Sequence, residues 1–120
     1  MSDFQIRSKT WLEVDGKPFL GDGRFRLLSA IQRNGSINAA AKDLVLSYRK
    51  AWAQLKAMEE SSPFLLLERR TGGTGGGASL LTDETVELLK RFEKLRDQVN
   101  RKADQCFATC FAEESVHADA

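Results

Sequence analysis

The chain has 120 residues, 42% hydrophobic and 29% charged, with a formal net charge of +1 at pH 7. That is the size of one domain with a single modest core, and no apolar run approaches the roughly 20 residues that span a bilayer, so no membrane partner is expected. Residues 1–10 mix Asp3, Arg7 and Lys9 with isolated apolar side chains rather than a signal-peptide core, and Cys106 and Cys110 do not form a secreted disulfide framework; a cytoplasmic location follows.

Residues 9–20 read as a hairpin, because Asp15-Gly16 is a favoured two-residue turn flanked by Trp11, Leu12, Val14 and Phe19. Over residues 24–33, Phe25, Leu28 and Ile31 recur at helical spacing with Leu27 beside them, and Asn34-Gly35 ends this first helix with a pair that tolerates a left-handed backbone. Ser36 can cap a short second helix whose Ile37, Ala40, Ala41 and Leu44 share one face. After Val45 and Leu46, Ser47 caps a third helix. Ala51, Trp52, Leu55 and Met58 lie on its core side, and Arg49, Lys50, Ala53, Gln54, Lys56 and Ala57 point away.

The run FLLLERR at residues 64–70, the glycine-rich residues 71–77 and the segment 78–81 parse as strand, loop, strand. Thr82 can cap a long last helix, with Asp83 and Glu84 in the first turn, where the helix dipole favours anions. Leu88, Phe92, Leu95 and Val99 alternate steps of four and three like a coiled-coil seam, and Ala103, Cys106 and Cys110 continue it after a shift. The expected fold is α+β, mainly α: a winged helix-turn-helix with an N-terminal β-hairpin and a long C-terminal dimerisation helix. It is read as one domain over residues 1–120, with N-terminal strands in 1–22, the winged helix in 23–82, the dimerisation helix in 83–112 and a frayed tail in 113–120.

The weak net charge conceals a gradient. Residues 24–50 hold six basic side chains (Arg24, Arg26, Arg33, Lys42, Arg49, Lys50) against Asp43 alone, whereas residues 82–120 hold six basic against nine acidic. The local field, rather than the overall charge, governs attraction to phosphate. A helix that enters the major groove reads base edges with its N-terminal residues, here Ser47, Tyr48, Arg49 and Lys50, while the helix before it, beginning at Ser36, braces the backbone. Gln54 and Lys56 lie further along, and Arg49 can pair bidentately with guanine. Arg69, Arg70 and Thr71 at the base of the loop, with Gly72, Gly73, Thr74 and Gly75, can lie along a duplex as a wing.

Other chemistries fit less well. The glycine loop has the length of a P-loop, but Ala78 and Ser79 stand where Lys and Ser or Thr are required. Cys106 and Cys110, with the only histidine, His117, fall short of a full metal-ligand set, and no nucleophile triad or paired carboxylates stand out. Neither an enzymatic activity nor a cofactor or metal is expected.

The segments GSINAAAKD (35–43), SYRKAW (47–52), LLERRTGGTGGGA (66–78) and LLT (80–82) resemble the DNA-binding domain of the ModE family, molybdate-dependent transcriptional regulators of bacteria related more distantly to LysR-type regulators. The resemblance implies a cytoplasmic, sequence-specific regulator that binds double-stranded DNA as a homodimer. Residues 47–50 would open the recognition helix, residues 69–77 would form the wing, and the last helix, with the N-terminal strands, would belong to the dimer-forming part; the seam of Leu88, Phe92, Leu95 and Val99, continued by Cys106, agrees independently with pairing two chains. The family's turn glycine between helices two and three is replaced by Val45, so that turn is expected to be reshaped or strained. The family's molybdate-binding domains follow the DNA-binding domain, so molybdate sensing is not carried over: the chain reads as a stand-alone relative with an unknown signal or as a fragment. Two alternatives stand beside this reading: a sensor whose DNA binding is switched by a small-molecule effector, an oxyanion or a metal; and a module that pairs with a different protein through the long helix.

Overall fold

A computed structural model describes residues 3–70 and 77–112. Asp15 and Gly16 both adopt positive φ, 52° and 78°, the twist that lets a two-residue turn join antiparallel strands. The hairpin β1 (Leu12–Val14) and β2 (Lys17–Leu20) pairs Val14 with Lys17 and Glu13 with Pro18, then slips at a bulge so that Leu12 meets Leu20. The expected N-terminal strands are therefore confined to this hairpin, and residues 4–11 carry no regular secondary structure.

Helix α1 (Asp22–Asn34) buries Leu27, Leu28, Ala30 and Ile31 and ends at Gly35, whose φ of 78° suits a residue without Cβ. Helix α2 (Ile37–Asp43) starts where Ser36 Oγ accepts the Ala39 N–H at 3.0 Å, and it buries Ile37, Ala40 and Ala41. Helix α3 (Tyr48–Ser61) starts on the same device, Ser47 Oγ accepting from Lys50 N at 3.1 Å, and buries Ala51, Leu55 and Met58. The three helices pack in sequence, α1 on α2 and α2 on α3, and both α1 and α3 rest on β2, where Phe19 and Leu20 are buried. Removing a side chain such as Leu55 from this core costs about 2–5 kcal/mol.

Strands β3 (Leu67–Arg70) and β4 (Ala78–Leu81) form a second antiparallel pair, with Leu67 opposite Leu81 and Arg70 opposite Ala78. Two bonds hold it, one near the loop and one at its base. Ser79 N donates to the Gly35 carbonyl at 2.9 Å, and Thr82 N donates to the Leu66 carbonyl at 3.1 Å. The buried hydroxyls of Thr82 and Thr85 complete the node: Thr82 Oγ1 donates to Leu65 O at 2.7 Å and Thr85 Oγ1 to Leu66 O at 3.0 Å. Thr82 Oγ1 also accepts the Thr85 N–H as the expected cap of α4 (Asp83–Cys110).

The chain divides into two compact units, residues 11–90 and residues 1–10 with 91–120. In the second unit the N-terminal segment lies beside the later turns of α4: Ser8 Oγ donates to Asn100 Oδ1 at 2.8 Å, the Phe4 and Phe111 rings lie 6.0 Å apart, and Phe107 stacks on Phe111 at 4.8 Å.

Between α2 and α3, Val45 adopts φ 56°, the left-handed conformation normally left to glycine. Leu46 N donates to Ala41 O at 2.8 Å and Val45 N to Lys42 O at 3.2 Å, the two bonds of a Schellman-type helix end. The turn keeps a glycine's shape with a β-branched residue, at a cost of about 1–2 kcal/mol. Since Val45 is 91% exposed, packing offsets little of this. Val45→Gly is expected to stabilise the protein by about 1 kcal/mol once the flexibility of glycine in the unfolded chain is subtracted, raising the thermal midpoint by a few degrees. An unchanged or lower midpoint would show that the turn carries no such strain.

Candidate nucleic-acid interface

The side of α3 that Ala51, Leu55 and Met58 bury fixes what the helix presents to solvent. Tyr48, Arg49 and Lys50 are exposed in its first turn, next to the capping Ser47, and Ala53, Lys56 and Ala57 continue an exposed strip with small residues between the charges. A helix end of this kind offers cations and backbone amides together. Gln54, expected on the outward face, is half-buried. Ser36, at the start of α2, is half-buried with its oxygen engaged in the cap.

Trp52 corrects the sequence reading. It was expected in the core and is 38% exposed. At 100° per residue it sits roughly 90° from the centre of the Ala51–Leu55–Met58 arc, on the flank of the helix. Lys56, one turn on, lays its ammonium over the indole at 4.9 Å. The helical angle was the available signal, outweighed by the size and hydrophobicity of the side chain.

The basic stretch is less uniform than its count. Arg24 donates to the Pro18 and Phe19 carbonyls, both at 3.1 Å, and so ties α1 to the hairpin. Arg33 pairs with Asp43 at 2.9 Å, and together with Asn34 it holds that carboxyl below the usual carboxylate range. Whatever stability this contributes is present above the ordinary carboxylate pKa and is lost as pH falls through the lowered one. Arg26, Lys42, Arg49, Lys50 and Lys56 are exposed and carry no ion pair among the described residues.

At the wing, Arg69 lies on β3 but turns back to α3, where its guanidinium meets Glu59 at 2.8 Å, so part of its charge is already compensated. Arg70 closes β3. Thr71, Gly72, Gly73, Thr74 and Gly75 lie outside the described residues. On α4, Phe92 is buried within the chain itself, with Arg96 above its ring at 5.5 Å, and is thus withdrawn from the expected seam. Leu88 is half-buried, while Leu95, Val99 and Cys106 are exposed. Among the described residues no cluster of three or more His, Cys, Asp and Glu side chains is disposed to hold a metal, and no helix is long and apolar enough to cross a membrane.

Residues 23–84, which run from α1 through the wing to the start of α4, match the family model of bacterial regulatory helix-turn-helix proteins of the lysR family. The chain belongs to that family. Within this lysR-type group its relatives include the transcriptional regulator ModE of Haemophilus influenzae, 48% identical over 77 residues, a match covering 64% of this chain and 30% of that protein. The DNA-binding transcriptional dual regulator ModE of Escherichia coli is 38% identical over 92 residues, covering 77% of this chain and 35% of the relative. The chain thus spans about a third of the length of the curated relatives it matches. In three dimensions it is similar to the DNA-binding domain of CbnR in a DNA complex, with a TM-score of 0.55 at 23% identity over 73% of this chain and 95% of that one. That likeness shows the fold, a winged helix-turn-helix with a long C-terminal helix, as expected from the order of elements.

The Glu59–Arg69 pair sets up a test. Glu59→Gln removes a negative charge beside the strip and releases Arg69, so binding to any duplex is expected to tighten and the slope of log affinity against log salt to steepen by about one phosphate contact. Anisotropy titrations at several salt concentrations measure both. An unchanged slope would mean that Arg69 lies away from the phosphates.

Proposed function

We propose that the chain binds double-stranded DNA in a sequence-dependent way, as a homodimer, and regulates transcription. The observation that carries this is the first turn of α3, where Arg49 and Lys50 are exposed and, among the described residues, free of ion pairs beside the capped helix start. The names of the ModE relatives, and the DNA held by the CbnR domain, support the same reading. Arg49 then reads a base edge, and the wing, from Arg69 through Gly75, contacts the backbone. The exposed Leu95, Val99 and Cys106 form the outward part of a seam that a second copy covers, and a twofold dimer matches a palindromic site with half-sites one or more helical turns apart. The chemistry is recognition, without a catalytic step.

Selection from a random duplex library followed by anisotropy titration tests the proposal. A palindromic winner bound tightly and in a salt-dependent manner is the expected result; no enrichment would remove the DNA-binding assignment. On the winning duplex, Arg49→Ala is expected to narrow the gap between cognate and scrambled sequences by about 1–3 kcal/mol, and Arg70→Ala to weaken both alike. Equal loss on both duplexes for Arg49→Ala would make Arg49 a phosphate contact. Leu95→Asp with Val99→Asp should convert the dimer to a monomer in sedimentation, and a dimer that survives places the seam elsewhere.

A further inference from the structure

Two tryptophans are present, and their indole N–H groups differ. Trp11 Nε1 donates to Glu13 Oε2 at 2.9 Å. Trp52 Nε1 has no hydrogen-bond partner among the described residues, and neither has the hydroxyl of Tyr48, one turn earlier on α3. Tyr48, Trp52 and Lys56 follow at steps of four along one flank of the helix, a row about 12 Å long. Tyr48 is 51% and Trp52 38% exposed, so part of each aromatic surface faces solvent beside the basic first turn of α3. The row therefore consists of a phenolic O–H, an indole N–H and an ammonium, three donors with no carboxylate among them. Such a row complements the oxygens of a phosphate strand, and the Lys56 ammonium over the ring holds the indole in place.

We infer that Trp52 is a DNA-contacting residue that donates its Nε1–H to a backbone phosphate, with Tyr48 and Lys56 contacting the same strand on either side. This rests on the DNA-binding reading above and adds a division of labour to α3. The flank of Tyr48, Trp52 and Lys56 grips one strand and sets the depth of the helix, while Arg49 faces the base edges. Because the indole is neutral, its contact adds affinity without releasing counterions.

The test uses the duplex selected by the wild-type protein and a scrambled control. Trp52→Phe keeps the aromatic surface and loses the N–H, and it is expected to weaken binding to both duplexes by about three- to tenfold. The salt slope should stay at the wild-type value. Lys56→Met, by contrast, should flatten the slope by about 0.9. A Trp11→Phe variant leaves Trp52 as the only tryptophan, and its fluorescence should become protected from acrylamide quenching when duplex is added.

Wild-type affinity in a well-folded Trp52→Phe overturns the assignment, and so does an indole left unprotected by duplex, or a loss confined to the selected duplex, which would make Trp52 a base reader. If Trp52→Phe melts well below wild type, the quenching result in Trp11→Phe decides alone. A wild-type protein that binds neither duplex removes the DNA-binding reading and this contact together, whereas normal wild-type binding with an indifferent Trp52→Phe removes only the contact.

Discussion

The orientation of everything α3 presents depends on close packing through small side chains. Ala40, Ala41 and Ala51 are all but inaccessible, and α2, only seven residues long, packs on both α1 and α3. A helix of that length has little stability of its own; it exists because Ser36 caps it, the turn at Val45 and Leu46 closes it, and its alanine face is covered. One extra methylene at these positions would push a neighbouring helix aside rather than fill a gap. The angle of the exposed strip is thus set by residues that have no charge and touch no ligand.

Charge is distributed with the same economy. Arg24 and Arg33 serve the fold, one holding the hairpin and the other neutralising an aspartate near the end of α2, where the helix dipole disfavours an anion. Arg26, Lys42, Arg49, Lys50 and Lys56 are exposed and carry no ion pair among the described residues. A chain with a formal charge of +1 can therefore carry a locally cationic surface.

Features decided within a few residues were legible from the sequence. Asp15-Gly16 specified its turn, Ser36 and Ser47 their caps, and Asn34-Gly35 the end of α1, because each signal is a local backbone requirement. The order of three helices, a hairpin and a long helix followed from hydrophobic spacing. What could not be read depended on residues distant in sequence. Trp52 looks like a core residue until the docking angle of α3 is known. The pairing of Arg69 with Glu59 requires β3 to lie beside α3, and the burial of Phe92 depends on packing that a heptad pattern does not encode. Val45 is a mixed case: the sequence signalled a conflict, and only the backbone shows that it was settled by strain.

The wing strands are anchored along their length. Ser79, opposite Arg69 near the loop, is tied to the end of α1 through Gly35, Arg69 pairs with Glu59, and Thr82 with Thr85 closes on the Leu65 and Leu66 carbonyls, so the course of β3 and β4 is fixed by the body of the fold. Residues added to or removed from the loop between the strands would then change its reach without tilting α3. That separation gives evolution a free variable: related chains can lengthen, shorten or recharge this loop while inheriting the same α3 unaltered.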